Sequence, residues 1–442
     1  MAGKTQSGMK KSIGSVAALA TVAGTVIGSG VFFKAGAVTE YTGSSSLAMF
    51  VWLLAGFITI CAGLTCAELA AAFPETGGLT RYIEHSYGSF WGFLAGWAQA
   101  IIYFPANVAA LAIVFGTQCV NLLGISAVYI IPIAFITAAS VFLLNFVSAK
   151  VGGTIQTITL IIKLIPLILI IVFGFMHSGH TGFSLFPIVP GAHKGLATAI
   201  ANGLLATMFA YDGWIHVGNI AGEMKNPGKD LPRAIAGGLG IVMAAYLLIN
   251  AVFLFVLPIS VVMGNLNVSA AAATKIFGGM GGKVVTIGIL ISVYGTLNGY
   301  TMTGMRIPYI MGKEKKLPFA DFFAKLNTAG VPWASGVVQY VIAGIMILSG
   351  SFDAVTNMLI FVIWFFYVMA FIGVIKLRRT MPNLKRPYKV PGYPVIPIIA
   401  ILGGLFILVM TLFTQMVTTL IGIVATLIGI PFYLYLKNKY SF

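Results

Sequence analysis

Residues 24–32 read GTVIGSGVF. Apolar side chains and glycine make up most of the stretch, so it reads as part of a membrane helix. Yet Gly28 and Gly30 stand in its middle, with Ser29 between them and Thr25 one turn earlier. Glycine lets a chain leave helical geometry at little cost and lets a ligand approach the backbone. In hydrocarbon each unpaired backbone group costs several kcal/mol, so an interrupted helix must face protein, water or ligand. The stretch therefore predicts a helix broken at membrane depth.

The rest of the chain supports a membrane setting. Its 442 residues are 59% hydrophobic and 8% charged, against roughly a quarter charged in a soluble protein. A span needs about 20 largely apolar residues. Roughly twelve such runs are present, at about 13–38, 46–72, 89–120, 128–148, 153–176, 196–222, 232–257, 281–303, 333–350, 355–377, 394–413 and 416–436. Lys10 and Lys11 before the first run mimic a secretion signal, but the apolar run continues past Ala18-Leu19-Ala20 and no cleavage is expected. Lysine and arginine concentrate in connections on the side of the N-terminus. The opposite side carries only Lys34, Lys194, Lys275 and Lys283. Both termini are thus expected in the cytoplasm, in a multi-pass protein of the cell membrane. The net charge of +16 reports this asymmetry and contact with anionic membrane lipids, not nucleic-acid binding.

Cys61, Cys66 and Cys119 all fall on spans. Their spacing fits no zinc pattern, and they read as small packing residues. His177, His180 and His193 fall in the connection 177–195 and read as solvated loop histidines. Residues 177–195 and 258–280 carry Gly, Pro and Asn and read as loops. Nothing calls for a metal or cofactor, and no connection is long enough for a soluble domain.

A second disturbed centre lies five spans after the first. FAYDGW, residues 209–214, places an acid, a glycine and aromatics where a lipid-facing helix would carry aliphatics. Paired interruptions in two halves point to a transporter binding site. Spans 1–5 and 6–10 would form the halves, inverted because five is odd. The helix half starting near Gly30-Val31 offers free N–H groups and a positive dipole end, suited to a carboxylate. The half ending near Thr25-Val26, and the carbonyls around Phe209 and Ala210, suit an ammonium. An amino acid zwitterion fits without any charged side chain. The candidate substrate residues are Val26, Ile27, Gly28, Ser29, Gly30, Phe209, Ala210, Tyr211 and Asp212.

Asp212 is read as the acid inside the membrane, with Glu68 near enough to a span end to reach the interface. A buried acid is costly and points to function. Asp212 could bind an ammonium, carry a proton, or cap the second half-helix, and capping is the leading reading. Lys163 lies ten residues into the fifth span, about 15 Å deep at 1.5 Å per residue, too deep to snorkel easily. Pro166 disturbs the carbonyl of Ile162 beside it, so the lysine is expected to turn inward to carbonyls or hydroxyls. Tyr103 and Pro105 disturb the third span, Tyr246 interrupts the seventh, and Ser292, Tyr294, Thr296 and Asn298 stripe the eighth. Taken singly, these read better as interhelical hydrogen bonds.

GTVIGSGVF, FAYDGW followed by GEMKNPGKDLPRAI (222–235), and AELAAAFPETGGLTRY (67–82) together resemble the amino acid–polyamine–organocation (APC) superfamily. The likeness runs from about residue 12 to 380 and is strongest to bacterial L-type amino acid transporters, serine/threonine exchangers in particular. The resemblance implies an all-α integral membrane fold of twelve transmembrane helices, a LeuT-like five-plus-five inverted repeat with helices 1 and 6 broken. The expected layout is a cytoplasmic tail over 1–12, a transport core over 13–377 (halves 13–176 and 196–377), a cytoplasmic loop over 378–393, two accessory helices over 394–436 and a tail over 437–442. The resemblance further implies sodium-independent exchange of small neutral L-amino acids by alternating access, with Lys163 in place of a sodium ion and Tyr246 and Trp214 in coupling or gating. Two departures stand out. Thr80 replaces the tyrosine of the Gly-Gly-x-Tyr connection, while Tyr82 remains. Animal relatives join a glycoprotein through a cysteine in the outer loop after helix 3; 121–128 has none, so no heavy-chain glycoprotein partner is expected. A proton-coupled symporter is the rival within the class. An ion channel would show a filter of carbonyls or rings of charge, and an enzyme would need clustered acid–base groups. Neither pattern is visible.

Overall fold

A helix over Ser15–Val26 (α1) stops, and a second over Gly30–Thr42 (α2) begins, on either side of the disturbed stretch. Each half is about 18–20 Å long at 1.5 Å per residue, too short to cross the bilayer alone. The computed structural model describes residues 15–440 apart from 29, 75–76, 148–154, 156–157, 160–161, 178–181 and 217–225. Ser29 and His180 lie outside the described residues.

The remaining helices are Ser45–Ala72 (α3), Leu79–Tyr87 (α4), Ser89–Ala98 (α5), Phe104–Leu123 (α6), Ile130–Val147 (α7), Leu164–Met176 (α8), Leu196–Ala210 (α9), Pro227–Val256 (α10), Ile259–Val262 (α11), Val268–Gly304 (α12), Arg306–Lys313 (α13), Ala320–Phe323 (α14), Trp333–Ile347 (α15), Phe352–Thr380 (α16), Val395–Thr414 (α17), Met416–Leu427 (α18) and Gly429–Tyr440 (α19). No strand occurs among the described residues. Eight helical stretches among them are long and apolar enough to cross a membrane, and α8, α9 and α15 are apolar but shorter. The protein is a helical, multi-pass membrane protein.

Local chemistry explains the irregularities. Pro105 has no N–H to donate, and a wide π turn over Gln99–Tyr103 joins α5 to α6 just before it. The buried Asn107 side chain donates to the Tyr103 carbonyl at 2.9 Å. In α10, Asp230 in the first turn accepts from the Asn226 amide at 3.1 Å, a carboxylate placed where the helix start favours negative charge. Residues 258–280 are not simply a loop. α11 lies within them, and α12 starts at Val268, bending at Gly278, whose φ of 76° only glycine adopts readily. The alanine run 270–273 outweighs the Gly and Asn that suggested a loop.

The two broken regions hold each other. α1 packs along α10, and α2 along α9. A Cβ on Gly30 would lie 2.4 Å from the Ala210 Cα, so the start of α2 and the end of α9 touch backbone to backbone.

Charge corrects two sequence readings. Lys34 is not in a connection; it is fully buried in α2. α2 continues to Thr42, about two turns beyond the lysine, which already falls within the expected span 13–38. There its ammonium meets Asp353 Oδ1 and Thr356 Oγ1, both at 2.6 Å, and sits 4.5 Å from the Phe352 ring centre. Glu68 does not reach out to solvent either. It is buried and takes Arg378 on both oxygens at 2.8 and 2.5 Å, with the Val390 amide at 2.8 Å. The helix end and the connection 378–393 fold over it. A second cluster ties α4 to the segment after α13, where Glu84 pairs with Arg81 and with Lys316, each at 2.7 Å.

Two predictions follow from these clusters. Glu68→Ala leaves Arg378, and Arg386 whose Nε lies 3.3 Å from Glu68 Oε1, without their carboxylate, costing up to about 3 kcal/mol, reduced by the partial exposure of Arg378. A lower melting temperature and faster proteolysis within 378–393 are expected; unchanged cleavage contradicts the assignment. Burial pushes the Glu84 carboxyl up, but hydrogen bonds and charge from Lys316 and Arg81 outweigh it and hold it below the ordinary glutamate value of 4.5. A carboxylate depressed in the folded state contributes stability that is present at neutral pH and lost as pH falls through its folded value. The acid-side fall in melting temperature, beginning below about pH 4.5, is expected to be shallower in Glu84→Gln; equal slopes contradict it.

Candidate functional site

α1 ends with backbone carbonyls that no helical amide follows to satisfy. Two side chains reach them. The Lys163 ammonium donates to the Gly24 carbonyl, with the residue only 3% exposed. Lys163 sits just before α8, where Pro166 prevents the regular backbone pairing at Ile162. The Tyr246 hydroxyl, on α10, lies 2.8 Å from the Val26 carbonyl and 2.9 Å from the Ala210 carbonyl. A hydroxyl carries one proton. It can fully serve only one of these acceptors at a time, so one carbonyl of the pair retains capacity for a donor.

The two breaks therefore converge. Val26, Ile27, Gly28 and Gly30 are buried beside Phe209 and Ala210. Gly213 adopts φ 106°, and a Cβ there would lie 3.1 Å from the Thr25 carbonyl oxygen. Gly28 faces the Thr296 side chain of α12. The Phe209 ring stands edge-on to Phe352, 5.4 Å between centres, next to the Lys34 ammonium. The Tyr211 side chain turns away from the break: its hydroxyl donates to the Trp52 carbonyl at 3.1 Å, and its ring packs against Tyr246, 5.0 Å between centres.

Asp212 occupies different surroundings from those expected. Its described side-chain partners are not the amides of residues 214 and 215 that a cap would use. The Tyr103 and Tyr367 hydroxyls donate to it at 2.5 and 3.0 Å, and Tyr300 approaches at 3.5 Å. His216 lies 3.4 Å from the Tyr103 oxygen. Three phenols from three further helices enclose one carboxylate that is 4% exposed. Trp214 packs on Tyr367 just below, 5.2 Å between ring centres. The backbone at 209–210 and the Asp212 carboxylate thus belong to adjacent but separate arrangements.

Tyr300 and Tyr367 were not singled out in the sequence. Tyr300 lies one turn after Thr296 on the polar stripe of α12, so extending that stripe finds it. Tyr367 carries no such signal within a run of aromatics. The stripe itself divides: Tyr294 pairs with Ser140 at 2.9 Å, and Asn298 accepts from Asn145 at 2.7 Å, both bonds between helices. Thr80, in place of a tyrosine, accepts from Gln99 at 2.8 Å, while Tyr82 is fully buried. Among the described residues no group of three metal-ligating side chains forms.

Comparison with known proteins gives a consistent picture. The profile of a family described as amino acid permease matches residues 13–432. The serine/threonine exchanger SteT of Bacillus subtilis (strain 168) is 43% identical over 435 residues, covering 98% of both chains. The human cystine/glutamate transporter is 27% identical over 96% of this chain and 85% of its own. The mouse Asc-type amino acid transporter 1 is 29% identical over 92% of this chain and 77% of its own.

Tyr246→Phe removes the donor shared by the two carbonyls while keeping the ring. Losing one hydrogen bond of about 1.4 kcal/mol is roughly tenfold, so transport is expected to fall about tenfold with the fold intact. Asp212→Asn puts an amide donor against three hydroxyls. It is expected to cost about 1–3 kcal/mol of stability, with half-saturation for substrate moved less than the melting temperature; a lost substrate response at unchanged melting temperature overturns the separation of the two arrangements.

Proposed function

The chain belongs to the amino acid permease family, and we propose that within it the protein is a sodium-independent exchanger of small neutral L-amino acids such as serine, threonine or alanine. It is a transporter of amino acids, neither an enzyme nor an ion channel. The observation that carries the finer reading is the convergence of the Val26 and Ala210 carbonyls on one tyrosine proton. An α-ammonium brings three donors and would complete both acceptors. The N–H groups opening α2, near Gly28, Ser29 and Gly30, would take the carboxylate. The substrate zwitterion would then bridge the two broken helices.

In this reading Lys163 takes the part of a bound cation. Its ammonium holds the Gly24 carbonyl, so the end of α1 is stabilised without a sodium ion. Tyr246 exchanges its carbonyl partners for the substrate as the site fills, and Trp214 with Tyr367 backs the second break. The twelve runs then form a LeuT-like fold, with repeats over 13–176 and 196–377, the loop 378–393, and accessory helices over 394–436. Both termini face the cytoplasm, as the lysine and arginine asymmetry requires, and the transporter works in the cell membrane without a glycoprotein partner. The likeness to a serine/threonine exchanger along nearly the whole chain supports exchange of small polar substrates. The absence of a second free acid among the named site residues argues against cationic ones.

Vesicles containing the purified protein test this. Uptake of labelled serine is expected to need internal amino acid, to ignore a pH gradient, and to persist when sodium is replaced by choline. Gradient-driven uptake into empty vesicles would make the protein a proton symporter instead. Serine, threonine and alanine are expected to compete better than leucine, phenylalanine, arginine or glutamate. Lys163→Ala is expected to reduce exchange at least tenfold; unchanged exchange removes the lysine from the mechanism.

A further inference from the structure

Away from the broken helices, a cleft of about 700 Å³ opens between the end of α6, the end of α10 and the bend of α12. It shares no residue with the site described above. Its polar lining is Asn121, Asn267, Thr274, Lys275, Lys283 and Thr286. Lys275 and Lys283 stand on either side of the bend at Gly278, and both are exposed. No acidic side chain lines the cleft, and neither lysine has a carboxylate partner among the described residues. Elsewhere Lys34, Arg81, Lys315, Lys316 and Arg378 each have one; what sets this pair apart is that both line one cavity. Two uncompensated cations facing one cavity create a field that favours an anion.

The surroundings decide which anion. Asn121 and Leu122 are at the end of one apolar span, and Leu257 immediately follows another. That level is where lipid headgroups meet hydrocarbon. On α12, Met280, Val284 and Ile287 follow helical spacing around Lys283 and are 77%, 62% and 47% exposed. They form an apolar strip that begins at the cleft and descends from it. A free anion has no use for that strip, but a lipid with an anionic head lays its acyl chain along it.

The geometry points to the cleft as a binding site for an anionic phospholipid. The phosphate sits between Lys275 and Lys283, hydrogen-bonded by the amides and hydroxyls of the lining, with one acyl chain against Met280, Val284 and Ile287. Basic pockets between membrane helices bind anionic headgroups on the same terms. Because the bend of α12 forms one wall, and α12 presents Thr296 to Gly28 at its far end, a lipid there braces the helix against which the first break rests.

Native mass spectrometry of the full-length protein, released from nanodiscs of phosphatidylcholine with added phosphatidylglycerol, tests the assignment. The wild-type protein is expected to retain phosphatidylglycerol over phosphatidylcholine. Lys275→Gln/Lys283→Gln is expected to lose that retention by roughly fivefold per lysine, with the melting temperature in detergent as a check on folding. Lys437→Gln/Lys439→Gln, which removes the same charge from the C-terminal helix, is expected to leave retention intact. Equal loss in both double variants would show bulk attraction and overturn the site, as would undiminished retention in the first. Inorganic phosphate at millimolar concentration is expected not to displace the lipid; displacement would make the cleft a free-anion site and overturn the lipid assignment.

Discussion

An interrupted helix inside a bilayer leaves carbonyls that lipid cannot satisfy, and this protein is organised around meeting that demand. Lys163 meets it at Gly24, and Tyr246 meets it at Val26 and Ala210 with a single proton. The first donor is a charge that the carbonyls and burial hold in place. The second is shared, and so leaves hydrogen-bonding capacity where an ammonium would bind. In the proposed site, backbone alone would recognise the groups common to all amino acids. Such a site would also tie binding to conformation, because the two acceptors belong to different helices.

The charged residues outside this centre follow one rule. Each that is buried has been given a partner on another helix, since an uncompensated buried charge costs several kcal/mol. Lys34 and Asp353 join α2 to α16. Glu68 joins α3 to the end of α16 and the connection beyond it. Asp212 is met by hydroxyls rather than a cation, so its three tyrosines tie the π turn before α6, α12 and α16 to the turn after α9 without cancelling the charge. These contacts bring the first part of the chain against the last at several levels. The cleft at the bend of α12 is a different case: its two lysines are exposed, face one cavity and have no acid to match them.

How much of this could be read beforehand differs by feature. The break near Gly28 and Gly30, the disturbed centre at 209–214 and the disturbance at Tyr103 and Pro105 are local backbone chemistry, and each has a structural counterpart where the residue types demanded it. Lys163 was legible because its depth follows from counting residues at a known rise. Lys34 was misread because it was counted with the connections although it falls within the expected span 13–38; inside the helix the lysine needs a partner, and Asp353 is 319 positions away. The helical content of 258–280 was missed because glycine and asparagine near a short alanine run obscure it. Asp212 suggested a cap from its position in a turn, and only the arrival of hydroxyls from distant spans assigned its oxygens otherwise.

The sequence by itself determined that this chain is a helical membrane protein with two paired interruptions, because hydropathy and glycine placement act within a few residues. Family membership, too, is carried by those short motifs. Only the tertiary structure decided which donor serves which carbonyl, that Tyr211 turns toward Trp52, and that Asp212 is enclosed by tyrosines. Those outcomes depend on which face of each helix meets its neighbour. In a bilayer, where apolar faces are all alike to lipid, that choice is made by packing and interhelical hydrogen bonds, which join residues far apart along the chain.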